Sequence, residues 1–143
     1  MSYMFYTNRS ITSINLSSWD TSKVTTMERM FHTCEKLTSL DVSSFDTSNV
    51  TNMSCMFSDC SKLTELDLSA FNTEQVIDMF AIFIRCYTLK KIYVSERWTT
   101  SSVSESESMF TNCNQIVGQS GTTYNSDRTD RRGAVIDTNY SGT

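Results

Sequence analysis

The sequence has no proline at all, and only four glycines and one histidine occur among its 143 residues. It also lacks any apolar run near the roughly 20 residues that cross a bilayer, so no transmembrane helix is predicted. Residues 1–6 show no basic region followed by a long apolar stretch, and no export signal is expected. Lysine and arginine number 12 against 16 aspartates and glutamates. This balance disfavours a nucleic-acid or anionic-membrane binder, because such contacts need clustered basic residues.

What the sequence does contain is a repeat of 26 residues. A Met-Phe pair recurs at steps of 26, 26, 26 and 27 residues, and a cysteine column has the same steps. The pairs are Met4-Phe5, Met30-Phe31, Met56-Phe57, Ile82-Phe83 and Met109-Phe110, and the column is Asn8, Cys34, Cys60, Cys86 and Cys113. Several columns in one register indicate a repeat protein, in which each unit buries its apolar face against its neighbours.

Each repeat contains two different apolar spacings. In the copy from Leu37 to Cys60, Leu40 and Val42 alternate with polar residues, which predicts a short strand with one buried face. The equivalent strands are Ile14/Leu16, Leu66/Leu68 and Ile92/Val94. From Val50 the apolar spacing becomes 3, 4, 3, which predicts a short helix. Its N-cap would be Thr51, and Thr25 and Ser104 hold the same place in other copies.

These elements predict an α/β leucine-rich-repeat solenoid, with short parallel strands on one side and short helices on the other. Residues 1–117 would form about four and a half copies, and residues 118–143 would form a C-terminal cap. The pattern LxxLDVSSFDTSNVTNMSxMFxxC, read from Leu37 to Cys60, resembles the BspA-like leucine-rich-repeat family of bacterial surface proteins. The resemblance extends over nearly all of residues 1–117.

The resemblance implies a non-enzymatic module that binds another protein, in surface recognition or adhesion, at the cell surface or outside the cell. Two alternatives stay open. One is an intracellular, cytoplasmic binder encoded by a phage or mobile element, which inhibits a host protein by occlusion. The other is a structural subunit that stacks, forming a homo-oligomer through the N-terminal repeat, where Tyr3, Phe5, Tyr6 and Ile11 have no preceding copy to cover them.

The candidate binding residues are the outward positions of the predicted strands. They are Ser39, Asp41, Ser43, Glu65, Asp67, Lys91 and Tyr93. This face is acidic in its middle and changes at Lys91 and Tyr93, and an aromatic side chain is a frequent binding anchor. The competing interpretation is that short polar side chains merely keep an exposed sheet soluble.

Catalytic and metal-binding patterns are missing. One histidine, His32, and no C-x-x-C pair predict no zinc site and no cofactor, and no nucleophile elbow or glycine-rich phosphate loop occurs. His32 is expected on the solvent side of a helix. Asp20, Asp46 and Asn72 recur at one repeat position, which favours a turn-forming role. We therefore predict that the protein is not an enzyme.

Three further expectations concern the cysteines, the methionines and the apolar residues of the third copy. The column cysteines are predicted to be buried, reduced thiols, whereas Cys55 lies off the column and is expected to be exposed. The methionines are expected to fill the core. The third copy departs from the pattern, since Phe80, Ile84 and Tyr87 replace small or polar residues. Two interpretations stay open: an exposed apolar patch at Phe80 and Ile84 that marks an interface, or drift of the repeat towards the end of the array, where a cap changes the packing.

Overall fold

The computed structural model describes residues 1–117, 125–126 and 129–130. It contains two strands, β1 (Glu65–Asp67) and β2 (Lys91–Tyr93), which pair in parallel with Leu66 opposite Ile92. No helix occurs within these described residues. The predicted α/β leucine-rich-repeat solenoid, with a strand and a helix in every copy, is therefore wrong.

The repeats nevertheless lie directly on one another. The N–H of Phe5 donates to the carbonyl of Met30, and Phe31 and Phe57 donate in the same way one repeat further on, over 2.8–3.0 Å. Single parallel bridges join Thr26 to Asn52, Asn52 to Asp78, and Asp78 to Glu105. The period of 26 residues is thus the step from one layer of backbone to the next.

Consecutive tight turns replace the predicted helices. Between Met53 and Cys60, alternate N–H groups donate to the carbonyl three residues earlier, at 3.2 Å; the donors are Met56, Ser58 and Cys60. The N–H groups between them donate to the next repeat over 2.8–3.0 Å; these are Cys55, Phe57 and Asp59. A helix would use all of these groups within one segment. Here half of them join the layers.

Backbone dihedrals explain why the apolar spacing of 3, 4, 3 does not form a helix. Cys55 and Asp59 have φ of 53° and 61°, and Ala81 and Arg85 in the next repeat have 50° and 58°. The left-handed region costs a non-glycine residue about 1–2 kcal/mol and interrupts a right-handed helix. No glycine occurs in residues 1–117, so other residues carry this cost, and the hydrogen bonds between layers offset it.

A column of stacked aromatic rings forms the centre of the core. Phe5, Phe31, Phe57, Phe83 and Phe110 stack with neighbouring centroids 5.5–5.8 Å apart. Methionines pack around them, and all but the two at positions 1 and 4 are fully buried. The prediction that the methionine stripe fills the core is confirmed for these buried residues.

Buried threonines connect the layers at a second place. The hydroxyl of Thr47 donates to the carbonyl of Asn72 and accepts the N–H of Asn72, both at 2.8 Å. Thr21 and Thr73 make the same pair of bonds to the residue 25 or 26 positions later. One side chain therefore satisfies two backbone groups of the next repeat.

Two of the predicted strands are absent. Leu16 and Val42 are buried, yet the segments around Ile14/Leu16 and Leu40/Val42 form no strand. The predicted cap at 118–143 lies mostly outside the described residues. Within its described part, the carbonyl of Thr129 accepts the N–H of Phe110 at 2.8 Å. In the earlier layers, a carbonyl of the next repeat accepts the equivalent N–H.

Candidate functional site

The outward side chains of β1 and β2, together with the equivalent positions of the preceding repeat, form what we call the strand face. Ser39, Asp41, Ser43, Glu65, Asp67 and Lys91 are exposed, and Tyr93 is half-buried. The strand register places Glu65 beside Lys91 and Asp67 beside Tyr93. Asp41 holds the position of Asp67 one repeat earlier, so its carboxylate continues the same column.

Local hydrogen bonds orient the aspartates of the strand face. The N–H of Ser43 donates to Oδ1 of Asp41 at 3.0 Å, and Ser69 does the same to Asp67 at 2.9 Å. Hydrogen bonds from the side chain and the backbone of Ser43 lower the pKa of Asp41 below its ordinary value. Each aspartate thus uses one carboxylate oxygen to accept a hydrogen bond within its own turn, and its side chain remains exposed to solvent.

The side chain of Tyr93 extends from β2 to the neighbouring strand β1. Its hydroxyl donates to Oε2 of Glu65 at 3.2 Å. Asp41, Glu65 and Asp67 are acidic, and Lys91 is the basic residue beside them. The strand face is therefore a polar surface with three carboxylates and one amine on adjacent layers.

The turn-forming role predicted for Asp20, Asp46 and Asn72 is confirmed. Each accepts the N–H two residues later on its side-chain oxygen, at 3.0 Å. Asp20 and Asp46 also accept the hydroxyl of the same serine. These carboxylates close turns at successive layers.

A second polar cluster lies on the turn segments. Arg85 holds Asp59 through two hydrogen bonds, of 2.5 Å to Oδ1 and 2.7 Å to Oδ2, and the hydroxyl of Ser58 donates to Oδ2 at 2.9 Å. His32 stacks on Tyr6 with centroids 5.2 Å apart, and its Nδ1 lies 4.0 Å from Oδ2 of Asp59. That nitrogen is buried and has no hydrogen-bond partner among the described residues. The expectation that His32 faces solvent from a helix is wrong.

Burial and neighbouring charges shift the pKa values of His32 and Asp59 in this cluster. Burial lowers the pKa of His32, and Arg29 and Arg85 lower it further, against an upward pull from Asp59. Burial opposes ionisation of Asp59, but hydrogen bonds from Arg85 and Ser58 outweigh it and lower the pKa of Asp59. The cluster therefore holds one ion pair beside a neutral imidazole at neutral pH.

All five cysteines are buried and free. The thiols of Cys34, Cys60, Cys86 and Cys113 each donate to the carbonyl of a phenylalanine in the previous layer, over 2.9–3.3 Å. Burial raises the pKa of Cys34 to about 11 and that of Cys113 to about 12. The prediction of buried, reduced column cysteines is confirmed. Cys55 is buried as well, so its expected exposure is wrong.

Comparison with known families identifies the chain. The family described as "Mycoplasma protein of unknown function, DUF285" matches residues 1–123. The chain belongs to this family. The match includes the whole of the continuously described segment 1–117.

Comparison of this DUF285 member with curated proteins and with solved structures gives no match. Its described residues contain no helix long and apolar enough to cross a membrane. Nor do they bring together three histidine, cysteine, aspartate or glutamate side chains that could hold a metal ion.

Sequence reasoning missed the pairing of Asp59 with Arg85 in this DUF285 chain. The two residues are 26 positions apart, so they occupy one repeat position in adjacent layers. Opposite charges separated by one period are the signal that would have found the pair.

Proposed function

We propose that the chain is a non-enzymatic protein-binding module, and that its strand face contacts the partner. The observation that carries this proposal is the set of outward side chains on adjacent layers, with exposed Glu65 beside exposed Lys91 and exposed Asp67 beside half-buried Tyr93. Carboxylates, an amine and an aromatic side chain together supply directional contacts and an anchor. Solubility of an exposed sheet alone would not require Tyr93.

The likeness to BspA-like repeats supports surface recognition or adhesion as the setting of that contact. The exposed carboxylates Asp41, Glu65 and Asp67 favour a partner with a basic surface, since complementary charge accelerates association and excludes wrong partners. Binding of this kind depends on ionic strength.

The test is binding of the fluorescently labelled chain to cultured epithelial cells, before and after trypsin treatment of the cells. Glu65→Lys reverses a charge on the strand face, and Glu74→Lys makes the same change at an exposed glutamate outside it. We expect several-fold weaker binding for Glu65→Lys, wild-type binding for Glu74→Lys, and loss of binding to trypsin-treated cells.

Two results would contradict the proposal. Equal loss in both variants would show that total charge, not the strand face, controls binding. Undiminished binding after trypsin would show that the bound molecule is not a surface protein.

A second candidate function is self-assembly through the N-terminal repeat. Tyr3 and Tyr6 are 43% and 45% exposed there, and Met4 is 50% exposed. We expect a concentration-dependent molar mass in light scattering with reductant present, reduced by Tyr6→Ser. A constant monomer mass would remove this candidate.

A further inference from the structure

Two large apolar side chains of the third repeat are exposed to solvent. Ile77 is 52% exposed and Phe80 is 42% exposed. Other copies carry polar residues at these two repeat positions: Thr25, Thr51 and Ser104 at the first, and Ser2, Glu28, Ser54 and Glu107 at the second. The third repeat is therefore the apolar exception at both positions.

Stacking does not require these two side chains. The N–H of Ile77 donates to Thr51, and Thr51 donates to Thr25, each at 2.9 Å. The carbonyls of Phe80 and Ser54 likewise each accept an N–H from the preceding layer, at 2.8 and 2.9 Å. Because threonine and serine support the same backbone bonds, Ile77 and Phe80 add exposed apolar surface without a structural need for it.

The surroundings of this pair are acidic. Glu107 holds the position of Phe80 in the next layer, and Glu105 bridges to Asp78. Both glutamates are exposed, whereas Asp78 is half-buried and accepts the N–H of Phe80 and the amide of Asn52. Segments 76–84 and 103–111 together contain three carboxylates and neither lysine nor arginine. These two segments therefore carry a net negative charge.

We propose that Ile77, Phe80, Glu105 and Glu107 form a second binding surface, here called the turn patch. Its occupant is a partner-protein segment that carries lysine or arginine beside a large apolar side chain. The apolar pair buries the apolar side chain of that segment, and the two glutamates pair with its cations. The turn patch lies on the turn segments and shares no residue with the strand face, so it stands or fails independently of the function proposed above.

Charge also argues against a second copy of this chain as the occupant. A symmetric contact through the turn patch would place Glu105 and Glu107 against the same residues of the other copy. Like charges at such a contact are unfavourable. A basic segment of another protein neutralises them.

The first step of the test is selection from a phage-displayed library of random 12-residue peptides on the purified chain. We expect enriched peptides with lysine or arginine next to leucine, isoleucine, phenylalanine or tryptophan. Their binding is then measured by fluorescence anisotropy at two salt concentrations.

Three variants distinguish the turn patch from the rest of the surface. Ile77→Thr with Phe80→Ser installs the residues of the second repeat and should weaken peptide binding at least tenfold. Glu105→Gln with Glu107→Gln should weaken it several-fold and reduce its salt dependence. Tyr87→Ser is the matched control, since Tyr87 is 45% exposed and its equivalent in the second repeat is Ser61. It should bind as the wild type does.

Circular dichroism and urea unfolding check that each variant folds, and single substitutions replace any double variant that does not. The proposal is overturned if no enriched peptide depends on Ile77 and Phe80, or if the enriched peptides lack positive charge. It is also overturned if Tyr87→Ser loses as much binding as the double variant. Dimerisation of the wild type that the double variant abolishes would assign the patch to a second copy and overturn the proposed partner.

Discussion

Replacing Thr47 by valine removes one buried hydroxyl and leaves the shape of the side chain almost unchanged. Thr47 is 1% exposed, and its hydroxyl makes two hydrogen bonds of 2.8 Å to the backbone of Asn72 in the next layer. Valine can make neither bond. The N–H and the carbonyl of Asn72 then both lose this partner at the junction of the second and third layers.

The expected loss follows from those two bonds. A protein hydrogen bond contributes about 0.5–1.5 kcal/mol net, and a buried group left without a partner costs about 1–3 kcal/mol. Asn72 is half-buried, so water reaches it in part. We therefore expect Thr47→Val to lower the free energy of unfolding by about 2–4 kcal/mol. Thr47→Ser keeps the hydroxyl and should lose about 1 kcal/mol for the missing methyl group.

Urea unfolding followed by circular dichroism measures the change. With a slope of about 1–3 kcal/mol per molar urea, the midpoint should fall by about 1 M. Thr51→Val is the matched control, because Thr51 is exposed and its hydroxyl lies 3.3 Å from the carbonyl of Thr25. Water replaces that bond, so the control should stay within about 0.5 kcal/mol of wild type. Equal midpoints for the two valine variants would refute the role assigned to the buried threonines.

Four further predictions concern the core, the turns, the histidine and the thiols. Leu66→Ala truncates a side chain that is 1% exposed and should cost about 2–5 kcal/mol in urea unfolding; a cost below about 1 kcal/mol would place Leu66 outside the core. Thr7→Gly relieves a φ of 56° and should raise stability by about 0.5–1 kcal/mol, since the conformational penalty exceeds the entropy cost of glycine. A lower melting temperature would contradict this. Because the folded pKa of His32 lies below its unfolded value near 6.5, stability should be complete above that pH and fall as the pH drops through it. His32→Gln should remove this fall, measured by urea unfolding between pH 7.5 and 5.5, and an unchanged profile would exclude His32 as its source. Because burial raises the pKa of the five cysteine thiols, Ellman's reagent should react only slowly with the folded chain. In urea, where the chain is unfolded, the reagent should react with all five thiols. Rapid reaction of any thiol before unfolding would contradict the burial.

Periodicity predicted the stacking and the buried columns but not the backbone conformation. Counting positions identifies Phe31 and Phe57 as layer neighbours whatever the chain does between them, and their rings do stack. A spacing of 3, 4, 3 fits a helix and a run of tight turns equally well. The difference lies in where alternate N–H groups donate, and residues such as Cys55 and Asp59 adopt positive φ without a glycine to mark it.

The exposure of candidate site residues could be predicted from the sequence only where apolar and polar residues alternate along a strand. Glu65 and Asp67 are exposed on either side of buried Leu66, as a strand with one buried face requires. His32 was misplaced because its environment was inferred from a helix that does not form. Its surroundings come from Tyr6 in the preceding layer and Asp59 in the following layer, and a helical pattern within one repeat contains neither.

Stacking divides the side chains of each layer into two classes with different freedom to change. Positions such as Thr47 and Cys60 bond to a neighbouring layer, so a substitution there disturbs two repeats at once. The side chains of outward positions such as Ile77 and Phe80 take no part in those bonds, and a substitution there changes the surface of a single layer. New recognition chemistry can therefore arise at outward positions of one repeat at small cost in stability. This division explains why the apolar exception at Ile77 and Phe80 coexists with an intact backbone register in the same repeat.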